Sequence, residues 1–148
     1  MKNRNKNIWL FLILVFVVIQ LFPIDQTNPP ADPEDDFITI EKPPEAIGAL
    51  VKTACYDCHS YQTKYPWYVN IQPVGWWMRS HFRGARKELN FSQWSQYDQE
   101  DKAHHFSEMA EEVEEKHMPL KSYTWMHPEA RLSNDDRQML VDFFQSRE

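Results

Sequence analysis

The chain has 148 residues, of which 14% are aromatic and 26% charged, with a formal net charge of −6 and two cysteines. That length allows one domain with appendages. The acidic balance excludes a nucleic-acid binder, which needs clustered positive charge to meet phosphates.

The N-terminus differs from everything behind it. Lys2, Arg4 and Lys6 precede an apolar run over residues 8–22 (IWLFLILVFVVIQLF), and Pro23 ends it. Basic residues ahead of an apolar segment mark a signal peptide or a signal anchor. No small-x-small cleavage site follows and no cysteine stands there to take a lipid, so residues 1–22 are expected to be an uncleaved membrane anchor. The run is 15 residues long, slightly short of the roughly 17–25 that usually span a bilayer. Its basic flank orients the N-terminus to the cytoplasm and leaves the rest of the chain outside it. That remainder carries 13 basic and all 22 acidic residues, a formal charge of about −9. Such a surface is either simply solvated or meets a basic protein partner.

Residues 23–44 hold six of the ten prolines, with several Asp and Glu among them. Repeated prolines and like charges extend a chain, so this segment is expected to be a linker lifting the domain off the membrane, with a weak strand signal at residues 37–40. The folded domain is expected over residues 45–148 and reads as all-α. Pro43-Pro44 can open a helix containing Ile47, Leu50 and Val51, in which Gly48 suggests close approach by another helix. A second helix runs over residues 72–89 with Trp77, His81, Phe82, Ala85 and Leu89 at helical spacing. A third, over residues 98–116, turns Ala103, Phe106, Met109, Ala110 and Val113 inward. A fourth starts at Ser133 with Asp136 three residues on, a capping signature, and carries Met139, Leu140, Phe143 and Phe144. Rings crowd the stretch from Tyr56 to Tyr97, as either an aromatic core or a wall around a flat apolar ligand.

The two cysteines lie in "ACYDCHS" (54–60). A structural zinc site wants two ligand pairs, and the second pair is missing unless His59 and a remote histidine complete it. A disulfide across Cys-x-x-Cys closes too small a loop to restrain the unfolded chain much. A dithiol redox site belongs between a strand and a helix, and no parallel-strand pattern is visible. The favoured reading is Cys-x-x-Cys-His, the attachment signature of c-type haem. Cys55 and Cys58 would form thioethers with the two vinyl groups, and His59 would be carried onto the iron as proximal ligand. Such attachment takes place outside the cytoplasm, where the anchor would put the domain. For the distal side the candidate is Met118 of "KHMPLKSY", on a loop set by the following Pro119, with His81 as the alternative. Met/His ligation raises the potential and suits electron transfer. No acid–base pair suggests catalysis; His104-His105 and the acidic run at 111–115 read as a solvated helix face.

At "CYDCHSYQTKYPWY" (55–68), "QPVGWW" (72–77), "HFRGARKELNFSQW" (81–94), "EEVEEKHMPLKSY" (111–123) and "HPEARLSNDD" (127–136) the sequence resembles a bacterial family of membrane-anchored haem-binding domains akin to single-haem cytochromes c. The resemblance covers about residues 45–148. It implies a small cytochrome c-like helical fold and one covalent haem c held by Cys55 and Cys58. It implies His59 as proximal and Met118 as distal ligand. It also implies that Gly48 lies where the first domain helix crosses the last, against Phe143 or Phe144. The expected function is a membrane-anchored electron carrier outside the cytoplasm with an unidentified redox partner protein. The alternatives are a haem sensor or peroxidase-like enzyme with an open distal site, and a haem-free Cys-x-x-Cys oxidoreductase.

Overall fold

The structure is a computed structural model that describes the backbone of residues 2–148 and the side chains of residues 5–148. Among the described residues it is entirely helical, with no strand. The elements are α1 (Lys2–Ile19), α2 (Phe37–Glu41), α3 (Glu45–Ala54), α4 (Tyr56–His59), α5 (Val74–Glu88), α6 (Gln99–Glu114), α7 (Lys121–Met126) and α8 (Asn134–Gln145), joined by short 3₁₀ turns.

The four expected domain helices form where periodicity and capping placed them. Ser133 Oγ accepts from the Asp136 amide while the Asp136 carboxylate takes the Ser133 amide. This reciprocal box satisfies two otherwise unpaired donors at the start of α8. Asp98 does the same at one site for α6, accepting from the Asp101 amide. Helix α8 lies chiefly on α6 and also on α3. Between them Phe106, Ala110, Val113, Leu140, Val141 and Phe144 are buried, each large side chain contributing about 1.5–3 kcal/mol.

The segment expected to be a linker is packed against the domain. Asp32 caps a 3₁₀ turn at Pro33–Asp35, and Asp36 caps α2 by accepting from the Ile38 amide at 3.0 Å. The strand signal at residues 37–40 gives way to helix because this cap and the left-handed Lys42 (φ 46°) close a single turn. Phe37 is wholly buried, with ring centroids 4.9 Å from both Phe91 and Trp94. The buried Asp36 carboxylate also accepts from Tyr56 Oη at 2.8 Å and Gln62 Nε2 at 2.8 Å. Prolines stiffen this stretch, but its apolar residues, Ile24 and Phe37, find cores to enter.

Gly48 does not meet α8. A Cβ there would sit 3.6 Å from Ile38 Cδ1 and Pro43 Cγ, ordinary contact with the α2 segment. The glycine forced by packing is Gly75, where a Cβ would lie 2.1 Å from the Val69 carbonyl oxygen.

Helix α1 begins with the basic residues and then exposes its apolar side chains; Trp9, Leu10 and Phe11 are all more than 60% exposed. The helical part of its apolar run, residues 8–19, is about 18 Å long at 1.5 Å per residue. Among the described residues no helix is long and apolar enough to cross a membrane.

Candidate functional site

The backbone breaks from α3 at Cys55 (φ −122°, ψ −38°) and resumes as the one-turn α4. The amides of Cys58 and His59 both donate to the Cys55 carbonyl, at 3.2 and 2.9 Å. Residues at i, i+3 and i+4 share a helical face, so Cys55, Cys58 and His59 are presented together. The two intervening residues fasten the turn. Tyr56 points into the core, stacked on Phe91 at 5.2 Å and bonded to Asp36. The Asp57 carboxylate accepts from Tyr123 Oη at 2.8 Å and the Lys64 amide at 3.0 Å.

His59 Nδ1 lies 3.2 Å from the Leu89 carbonyl oxygen. A carbonyl only accepts, so Nδ1 carries the proton and Nε2 keeps its lone pair, the tautomer a metal-ligating histidine needs. Burial pushes the imidazole below its ordinary range, which keeps it neutral. Burial also pushes the thiols up, Cys55 to about 12 with the neighbouring Cys58 adding to it. Cys58 rises to about 11, with Asp57 adding and Arg86 opposing. The two thiols are not joined to each other.

All three residues line one cavity of about 640 Å³, whose other walls include His81, Gly84 and Ala85 of α5, Met109 and Val113 of α6, and Met118 and Tyr123. The volume falls in the range of sites that enclose a drug-sized or larger ligand. Met118 therefore reaches the cavity from the loop after α6. Its amide donates to the Glu112 carbonyl at 3.0 Å, and its carbonyl accepts from Arg137 Nη1 at 2.8 Å. His81 also reaches it, with Nδ1 held by the Trp77 carbonyl at 2.9 Å. Both distal candidates are thus brought to the same space as His59.

Gly84 tests whether a flat group fits. A glycine inside a helix costs about 1 kcal/mol against alanine, and a Cβ at Gly84 would meet no protein atom within 4 Å. The bare α5 backbone instead borders the cavity opened by the cysteines. Such a cradle suits a large planar ring laid against the helix.

One expectation is corrected. Of the expected solvated pair only His104 is open to water; the His105 side chain is 12% exposed, packs 4.5 Å from the Tyr97 ring and lines the cavity. The crowded rings of residues 56–97, left open between core and ligand wall, are mostly core. Tyr56, Phe91 and Trp94 belong to the main core and Tyr65, Tyr68 and Phe82 to a smaller one, while Phe91 alone among them lines the cavity. Among the described residues no group of three or more His, Cys, Asp or Glu could hold a bare metal ion.

A helical domain whose Cys-x-x-Cys-His turn opens on a ring-sized cavity defines a haem protein. The haem-binding domain family matches residues 14–146, and the chain belongs to that family. No curated protein and no solved structure matches the chain.

Sequence reasoning missed Gly84, Tyr123 and Arg137. A mid-helix glycine beside the expected inward face was the one signal available for the first; the other two act through contacts between segments far apart in the chain.

Proposed function

We propose that the protein is a single-haem c-type electron carrier, held to a membrane by α1 with its haem domain outside the cytoplasm. The observation that carries this reading is that Cys55, Cys58, His59 and Met118, from two distant segments, line one cavity while the Leu89 carbonyl holds His59 in the ligating tautomer. Cys55 and Cys58 would hold the haem: each S–H adds across one vinyl C=C, the sulfur and hydrogen going to its two carbons with nothing released. His59 Nε2 and the Met118 sulfur would be the protein atoms that hold the iron. When bound, haem supplies an iron that gains or loses one electron. The surrounding residues exclude water and fix the ligands, and the acidic exterior is available to a basic redox partner protein.

The raised thiols speak against the dithiol alternative, because a redox cysteine works as an exposed, stabilised thiolate. Helix α1, with its exposed apolar side chains behind a basic start, supports the anchor.

The test is the intact mass of the full chain made in an exporting host that matures c-type cytochromes. The expected result is an added haem that survives denaturation and disappears in Cys55→Ala/Cys58→Ala. A bare-chain mass beside a normally matured control cytochrome would overturn covalent attachment.

A further inference from the structure

A run of large apolar side chains lies uncovered next to the point where α1 joins the domain. Trp67 is 70% exposed, Trp77 46%, Trp76 41% and Ile71 39%. A tryptophan can bury about 150–250 Å², and contiguous exposed apolar surface marks an interaction site.

This face is tied by direct bonds to the residues that leave α1. Gln20 Nε2 donates to the Gln72 carbonyl at 3.0 Å, and the Gln72 amide donates to Gln20 Oε1 at 2.9 Å. Trp76 Nε1 donates to the Phe22 carbonyl at 2.9 Å. Farther on, Gln26 bonds Asn70 at 2.7 Å, and Ile24 is buried with Val69, Met78 and Phe82. No free spacer separates helix from domain, so whatever medium receives α1 also meets Trp76 and its neighbours.

The charge beside this face is inverted relative to the rest of the chain. Residues 71–87 contain Arg79, Arg83, Arg86 and Lys87 and no Asp or Glu, in a protein of formal net charge −6. Arg79, Arg83 and Arg86 line a second hollow of about 160 Å³ with Thr27 and a single acidic residue, Asp25, next to the exit of α1. The Arg86 Nε is buried without a hydrogen-bond partner. Guanidinium groups suit phosphate oxygens, and tryptophan suits the boundary between headgroups and acyl chains.

We propose that this face rests on the phospholipid surface, with Trp67, Ile71, Trp76 and Trp77 at the headgroup–acyl boundary and Arg79 and Arg83 on lipid phosphates. The inference rests on the reading of α1 as a membrane anchor and adds to it an orientation. It also accounts for the short apolar run. At about 18 Å against about 30 Å of hydrocarbon, α1 needs the domain drawn into the interface rather than held above it.

The test is hydroxyl-radical footprinting of the full chain, one copy per nanodisc of mixed zwitterionic and anionic phospholipid. Met139, 42% exposed on α8, is the solvent-side reference, with intrinsic rates taken from the digested chain. The expected result is several-fold slower oxidation of Trp67, Trp76 and Trp77 than their exposure implies, with the protection reduced in Arg79→Glu/Arg83→Glu. Oxidation at the rate their exposure implies, in chains retained by the disc, would overturn the proposal and leave the anchor standing. Chains that do not enter discs would overturn both. Protection seen only when two copies share a disc would assign the face to a second copy and overturn the lipid assignment.

Discussion

The guanidinium of Arg137 bridges two carbonyls, donating from Nη1 to Val113 at 2.9 Å and to Met118 at 2.8 Å. One side chain of α8 thereby ties the last turn of α6 to the loop that carries the candidate distal ligand. Lys116 adopts a left-handed conformation (φ 64°) just before that loop, and the Met118 amide closes it on Glu112.

Arg137→Met should therefore loosen Met118 without touching Cys55, Cys58 or His59. A charged donor serving two carbonyls contributes about 1.5–3 kcal/mol, which urea unfolding should record as lost. The diagnostic readout is spectral: the sulfur-to-iron signature of the ferric protein should weaken in Arg137→Met and return in part in Arg137→Lys. An unchanged signature would show that Met118 is held by other contacts.

Met118→Ala should leave haem covalently bound, lower the reduction potential and admit carbon monoxide or cyanide readily. His81→Ala should also keep the haem but leave the reduction potential and the binding of carbon monoxide and cyanide unchanged. The reverse outcome would assign the distal position to His81, which reaches the same cavity.

The glycines of α5 should respond in opposite ways. Gly75→Ala drives a Cβ to 2.1 Å from the Val69 carbonyl, and overpacking of this kind costs about 1–3 kcal/mol. Gly84→Ala should stabilise the haem-free chain by up to about 1 kcal/mol yet reduce haem incorporation, because the added methyl enters the cradle. Equal incorporation in wild type and Gly84→Ala would remove the ring from that side of α5.

Asp36→Ala removes a helix cap and leaves Tyr56 Oη without its buried partner. The combined loss is expected near 3 kcal/mol, from about 1 for the cap and about 1–3 for the orphaned hydroxyl. Chemical denaturation of the haem-free chain measures it; a loss below 1 kcal/mol would mean α2 is not anchored through this carboxylate.

The capping box of α8 should be visible in acid. Hydrogen bonds from the Ser133 hydroxyl and amide hold the Asp136 carboxyl below its ordinary range. A depressed carboxylate contributes stability that is present above its unfolded pKa, near 3.9, and is lost as pH falls through the lower folded value. The stability difference between wild type and Asp136→Asn, followed by denaturant titration from pH 6 downward, should hold steady and then shrink below about pH 4. A difference that does not change with pH would show that the carboxylate charge plays no part in the cap.

The sequence by itself determined α3 and α5 through period and a leading proline, α6 and α8 through period and a side-chain cap, and the Cys-x-x-Cys-His turn. These are local: a Ser133–Asp136 box or a Cys55–His59 spacing depends on residues within one turn of each other. Even the candidate distal residue was legible, because Pro119 forces a loop at Met118. The tertiary structure alone decided the rest. Residues 23–44 looked like a spacer by composition, yet Ile24 and Phe37 enter two separate cores and Asp36 gathers Tyr56 and Gln62 from the other side of α3. Ring content could not divide core from surface, and it was packing that buried Trp94 and left Trp67 and Trp76 uncovered beside α1. The open cradle at Gly84, the Leu89 carbonyl on His59 and the Arg137 bridge to Met118 join residues 19 to 30 positions apart or none at all. Local propensity carries no information about such meetings; they arise only when the helices pack and each buried polar group must find a partner.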